Sequence, residues 1–124
     1  MAASFSDRNP GLSPEALDKP RATPMQAPVV IAVGVDKPAE SKVLEDENIA
    51  AASAAIENIL LAAHALGLGA KWRTGEWARD AKVKQFLGLE EDQPIVGFVY
   101  VGYPEVDTEP PERPSFEDRT IWMS

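Results

Sequence analysis

The chain has 124 residues, a net charge of −8 and a pI near 4.6, and it contains no cysteine. That length suits one ordinary domain, and the acidic balance opposes any partner held mainly through phosphate backbones, which excludes nucleic acid as the natural partner. The lack of thiols excludes disulfides, thiolate metal sites and cysteine nucleophiles, and it fits the cytoplasm.

The opening MAASFSDRNPG has no apolar core behind a basic flank, so it does not read as a secretory signal. Ser13-Pro14-Glu15 offers an N-cap, a proline at the first helical position and an early acid, which predicts a short helix near Pro14 to Asp18. Pro20 and Pro24 interrupt any continuation. From Ala27 to Val35 the run APVVIAVGV contains no polar side chain and predicts a central strand buried on both faces, ended by Asp36-Lys37-Pro38.

A long helix follows. Glu45, Asp46 and Glu47 stand where a helix N-terminus favours negative charge, and Ile49, Ile56, Ile59, Leu60, Ala63 and Leu66 recur at helical spacing. The intervening alanines predict a helix packed against on more than one side, with Gly67 or Gly69 supplying the left-handed residue that ends it. The run Ile49 to Ala70 is long enough to cross a membrane, but Glu57 and Asn58 stand near its middle, where an acid costs about 2.5–3.5 kcal/mol to insert. A membrane span is therefore not expected.

Asp80 is placed to cap a shorter helix in which Val83, Phe86 and Leu87 share one face and Gly88 is the stop. PIVGFVYV, from Pro94 to Val101, predicts a second apolar strand. The tail, residues 103–124, is proline-rich and acidic and is expected to be extended, with Ile121-Trp122-Met123 as an apolar tip that needs a surface to dock on. Two buried strands with helices between them imply layered helices on a sheet, yet two strands are too few for a buried sheet.

Several candidate sites dissolve on inspection. Gly67-Leu68-Gly69 follows a helix, and Trp72 stands where a dinucleotide fingerprint requires its third glycine. His64 is the single histidine, with no second ligand or nucleophile nearby, and reads as a helix-end residue. The acidic groups Glu45 to Glu47 and Glu90 to Asp92 lack the alternating spacing of a calcium loop and read as solvated. The corner Trp72-Arg73-Thr74-Gly75 is different: a bulky ring precedes a hydroxyl residue and a glycine whose missing Cβ lets a flat ligand lie against the backbone. Read from spacing alone, the same corner could also be a strand end with Arg73 in a surface ion pair.

IAAASAAIENILLAAHALGLGAKWRTG, then ARDAKVKQFLGLEEDQPIVGFVYVGYPE, together with APVVIAVGV, resembles the C-terminal half of the nitroreductase superfamily. The resemblance implies an α+β flavoprotein fold, a central sheet flanked by helices, and an FMN-dependent NAD(P)H oxidoreductase acting on nitroaromatics, quinones or similar small-molecule electron acceptors. It also implies a homodimer with FMN at the subunit interface. Trp72, Arg73, Thr74 and Gly75 match the turn beside the isoalloxazine, where backbone N–H groups of Thr74 and Gly75 face its N5 and O4 edge. No side-chain acid or base is implied. Arg113 in PPERPS matches a phosphate-facing position of some relatives. Family members begin with an arginine-rich segment of the type R-R-S-x-R that grips the FMN phosphate, and Arg8 and Arg21 stand in no such motif. The expectation is therefore a single nitroreductase-like domain lacking its N-terminal part. The alternatives are a non-catalytic remnant that serves as an interaction module, or a chain too incomplete to fold stably alone.

Overall fold

A computed structural model describes residues 10, 11, 13, 22–36, 44–106 and 109–123. The helix expected near Pro14 to Asp18 lies outside the described residues. Three strands are described: β1 (Val29–Gly34), β2 (Gly69–Arg73) and β3 (Ile95–Gly102). Two helices accompany them, α1 (Glu45–Ala65) and α2 (Ala81–Phe86). The sheet is antiparallel in the order β1-β3-β2, with Val29 opposite Val101 on one side of β3 and Gly69 opposite Gly102 on the other. The architecture is α+β.

The run APVVIAVGV does form a strand, but among the described residues it is an edge of the sheet, and the central position belongs to β3. Val29 and Ile31 are exposed, alternating with half-buried Val30 and Ala32. The cause is the placement of α1, which lies mainly over β2 and β3 and barely reaches β1. A continuous apolar run reports burial potential, whereas the neighbours that realise it are set by the tertiary arrangement. The third strand, β2, ends at Arg73, as the alternative reading of the corner as a strand end has it, and supplies the second neighbour that β3 needs.

The register fixes two faces. Val30, Ala32, Phe98 and Tyr100 face one side, where they join Ala78, Val83, Ile95, Trp77 and Leu89 in a core cluster. Trp72 lies opposite Val99 on the other side, the side covered by α1. Ile56 of α1 and Val99 of β3 are the largest side chains with essentially no exposed area.

Helix α1 begins as its charges dictate. Leu44 has no oxygen to cap the helix, but its N–H donates to the Glu47 carboxylate at 3.4 Å, half of a capping box. At the other end Gly67, at φ 73°, ends the helix: Gly67 N–H donates to His64 C=O at 3.0 Å and Leu68 N–H to Ala63 C=O at 2.9 Å. Gly69, the other candidate stop, lies in β2. Only one face of α1 is covered among the described residues: Ile56 and Ala63 are buried and Ile49, Ala52, Ser53, Ile59 and Leu60 half-buried, while the opposite face is open. The expected multi-sided packing is thus not found there.

Asp80 caps α2 as expected. Its Oδ1 accepts the N–H groups of Lys82 and Val83 at 3.0 and 3.1 Å, and the residue is buried. Asp80→Ala is expected to cost about 0.5–2 kcal/mol, while Asp80→Asn keeps most of that contribution. Urea unfolding of both variants tests this, and an alanine variant as stable as wild type would remove the cap from the account. Gly88, at φ 74°, terminates α2 in the same manner as Gly67, with Leu89 N–H donating to Lys84 C=O at 2.9 Å. Val83 is buried as expected, but Phe86 is 87% exposed, so the three apolar residues of this helix do not share a covered face. Six residues make less than two turns, too short a helix to line up three apolar side chains on one covered face.

Beyond β3 the described residues form no strand, and Glu117–Arg119 make a single 3-10 turn. Ile121, Trp122 and Met123 are 87, 83 and 92% exposed, so the apolar tip rests on none of the described residues. No described helix is long and apolar enough to cross a membrane.

Candidate functional site

Strand β2 leaves the sheet where β3 enters it, and the chain between them makes the corner singled out in the sequence. Thr74 follows the last strand residue, and Gly75 adopts φ 104° and ψ −154°, a conformation open essentially to glycine alone. A 3-10 turn, Glu76–Arg79, then carries the chain down to the Asp80 cap. Gly75 C=O accepts from Ala78 N–H at 3.2 Å, but neither the Thr74 nor the Gly75 N–H is engaged by any described residue. Nothing stands within 4 Å of where a Gly75 Cβ would be.

These residues open onto a half-enclosed cavity of about 300 Å³. Trp72, Thr74 and Gly75 form one wall, Ile49 and Ser53 of α1 another, and Pro94, Ile95 and Val96 the start of β3. Ala78 and Arg79 close the lower side. Ser53 donates its proton to the Ile49 carbonyl at 2.8 Å, so toward a ligand it presents lone pairs only. The Trp72 indole lies against Gly97, its Nε1 buried and without a hydrogen-bond partner. The result is a mostly apolar slot with, at one rim, two backbone donors that no described residue engages. It fits the edge of a flat aromatic ligand that carries hydrogen-bond acceptors, and it is at the small end of the range for a complete ligand pocket.

Of the expected site residues, the structure brings Trp72, Thr74 and Gly75 together on this cavity. Arg73 points to the opposite face of the sheet: its guanidinium donates to Gln26 Oε1 at 2.7 Å and sits 5.7 Å from the Tyr100 ring centroid, as strand alternation requires of a neighbour of Trp72. Arg73 is thus bound by side-chain contacts that have nothing to do with the cavity, and the surface ion pair considered for it is a hydrogen bond. Arg113 lies exposed in the tail and is not among the residues lining the cavity. His64 is exposed near the end of α1, likewise away from it.

Ser53 and Arg79 were not anticipated. Ser53 is a small residue within an alanine run, and only the helical period counted from Ile49 and Ile56 places it on the covered face. Arg79 precedes the cap residue and carries no motif of its own.

Comparison with known proteins gives this arrangement its family. The model of the Nitroreductase family matches residues 3–103, and the chain belongs to that family. Over 96 residues it is 34% identical to YdjA of Escherichia coli (strain K12), which bears the name of an NAD(P)H nitroreductase; the match takes in 77% of this chain and 52% of YdjA. YfhC of Bacillus subtilis (strain 168), named likewise, is 30% identical over 122 residues, or 98% of this chain and 62% of YfhC. The chain thus spans between half and two-thirds of the length of these relatives.

Among solved structures, the nitroreductase-like family protein from Bacillus cereus superposes with a TM-score of 0.73 at 25% identity, over 90% of this chain and 62% of that one. A Desulfovibrio desulfuricans structure, described as a nitroreductase in complex with FMN, gives a TM-score of 0.59 at 32% identity over 71% of this chain and 51% of that one. The α+β fold is therefore nitroreductase-like.

Proposed function

We propose that this chain carries the flavin-edge portion of an FMN-dependent NAD(P)H oxidoreductase of the nitroreductase type. The observation that carries the reading is the pair of N–H groups at Thr74 and Gly75 that no described residue engages, set on the rim of an apolar slot beside Trp72. Bound there, FMN would supply the redox chemistry, accepting hydride from NAD(P)H and reducing a nitroaromatic, quinone or similar small-molecule acceptor.

The chain's own contribution is binding and polarisation. Two backbone donors fixed by a strained glycine aim at an edge where negative charge grows on reduction, and they need no reorganisation to stabilise it. Ile49, Ile95 and the Trp72 ring exclude water from that edge, which strengthens the two hydrogen bonds. No acid or base among the lining side chains is required. Arg113 is proposed to reach the phosphate from the tail, and Arg73 to act only indirectly, by holding β2 to the segment that contains Gln26.

A homodimer belongs to the same reading. The uncovered face of α1 presents Ala50, Ala51, Ala54, Ala55, Leu61, Ala62 and Ala65 around Glu57 and Asn58, a surface of mostly small side chains that lets another backbone approach. The cytoplasm is the compartment proposed for it.

The test is the visible spectrum of the purified chain after incubation with FMN and desalting. A retained flavin band, and weakening of FMN affinity by at least about tenfold in Gly75→Ala, equivalent to roughly 1.4 kcal/mol, are expected. Retention should be followed by assay of NAD(P)H oxidation. A colourless wild-type protein would overturn the flavin reading for this polypeptide and favour the interaction module instead.

A further inference from the structure

Arg79 is the one charged residue among the described residues that line the cavity. It forms no ion pair or hydrogen bond with any described residue. The adjacent carboxylate, Asp80, is buried and turned to the first N–H groups of α2, with its Oδ1 at 3.0 Å from Lys82 N and 3.1 Å from Val83 N. The 3-10 turn therefore sends two neighbouring, oppositely charged residues to different tasks: Asp80 to the helix cap and Arg79 to the cavity. The remaining walls are apolar, apart from the Ser53 hydroxyl and the corner at Thr74 and Gly75.

We infer that Arg79 makes this cavity select small aromatic acceptors that bear a carboxylate or comparable anionic substituent. The inference rests on the reading of the cavity as the place where flavin edge and acceptor meet. Ile49 and Ile95 give the cavity apolar walls for an aromatic ring, and a carboxylate on that ring would meet a planar guanidinium able to bind it through two parallel hydrogen bonds. The molecule as a whole does the opposite: at −8 it repels anions at long range, so preference for one arises from the local cation. Removing the Arg79 charge takes the total only from −8 to −9, yet it removes the whole of the local attraction.

Binding of 4-nitrobenzoate and of its neutral near-isostere 4-nitrobenzamide to the purified full chain, followed by quenching of tryptophan fluorescence, tests this without any catalytic readout. The wild-type chain is expected to favour the carboxylate by about fivefold, the upper range for a solvent-exposed ion pair, and to lose that preference as salt is raised. Arg79→Gln should bring the two affinities together, Arg79→Lys should keep part of the difference, and Arg119→Gln, an equal change in total charge on the exposed tail turn, should leave it intact. A wild-type ratio near one, a ratio unchanged in Arg79→Gln, or an absence of quenching by either compound overturns the inference.

FMN retention measured on the same samples separates the two ideas. Flavin retained with no Arg79-dependent preference sinks the selectivity and leaves the flavin reading standing; an Arg79-dependent preference with no flavin retained does the reverse.

Discussion

Ile56→Ala is expected to lower the unfolding free energy by about 2–5 kcal/mol, the range for truncating a large aliphatic side chain in a core that collapses only partly. Ile56 has no exposed area and stands at the middle of the single covered face of α1, with Ile49, Ala52 and Ser53 before it and Ile59, Leu60 and Ala63 after it. Since the opposite face meets no described residue, this stripe is what holds the helix to the sheet. Against a typical domain stability of about 5–15 kcal/mol, the loss is a large fraction of the total.

The same helix carries Ile49 and Ser53 into the cavity wall, so ligand binding should weaken together with stability. Leu61→Ala provides the control: at 59% exposure it should change stability by no more than about 0.5 kcal/mol. Urea unfolding with an unchanged slope separates a true loss of stability from a change in the unfolded state. A cost for Ile56→Ala as small as that for Leu61→Ala would mean that α1 is held by something other than this face.

The legible parts of the sequence were those governed by local chemistry. Asp80, Gly67 and Gly88 each perform the capping or stopping role that their type and position imply, because a helix end is satisfied by atoms a few residues away. The family motif led to Trp72, Thr74 and Gly75, which the structure gathers on one cavity. Strand β2 was legible only as the alternative reading of the corner as a strand end: in GAKWR, Ala70 and Trp72 alternate with Lys71 and Arg73, a two-residue period obscured by shortness and by the preceding helix.

That β1 is an edge among the described residues, where its apolar run predicts a central strand, has a different reason. Its apolar run measures what the strand could bury, while α1 lies over β2 and β3 and leaves Val29 and Ile31 open. Arg79 was illegible because its place comes from what surrounds it: three separate segments must meet before a surface arginine becomes the one charged residue among the described residues that line a cavity.

Gly97→Ala is expected to cost about 3 kcal/mol and to dismantle the cavity, the upper part of the range for overpacking a closely fitted interior. Gly97 is buried in the middle of β3, and the Trp72 indole occupies the space above its Cα. A methyl group there would fall 2.6 Å from Trp72 Cδ1 and closer still to Nε1, and 3.0 Å from the Arg73 carbonyl oxygen. The ring could swing away, but the carbonyl belongs to the ladder between β2 and β3 and cannot move without disturbing their pairing.

Displacing the indole removes one wall of the cavity and shifts the corner that follows it, so FMN retention should fall along with stability. Because the clash is shared between two side chains, the energies should not add: Gly97→Ala combined with Trp72→Ala is expected to cost less than the sum of the single changes by about 1–2 kcal/mol. Tryptophan emission gives an independent view, since a ring driven into water emits at longer wavelength. Strictly additive energies together with an unshifted emission in Gly97→Ala would show that the close approach of Trp72 to β3 does not shape this site. A coupled pair would tie the ligand-facing wall directly to the middle strand, so that the glycine of PIVGFVYV serves the cavity by leaving room for the tryptophan of KWRTG.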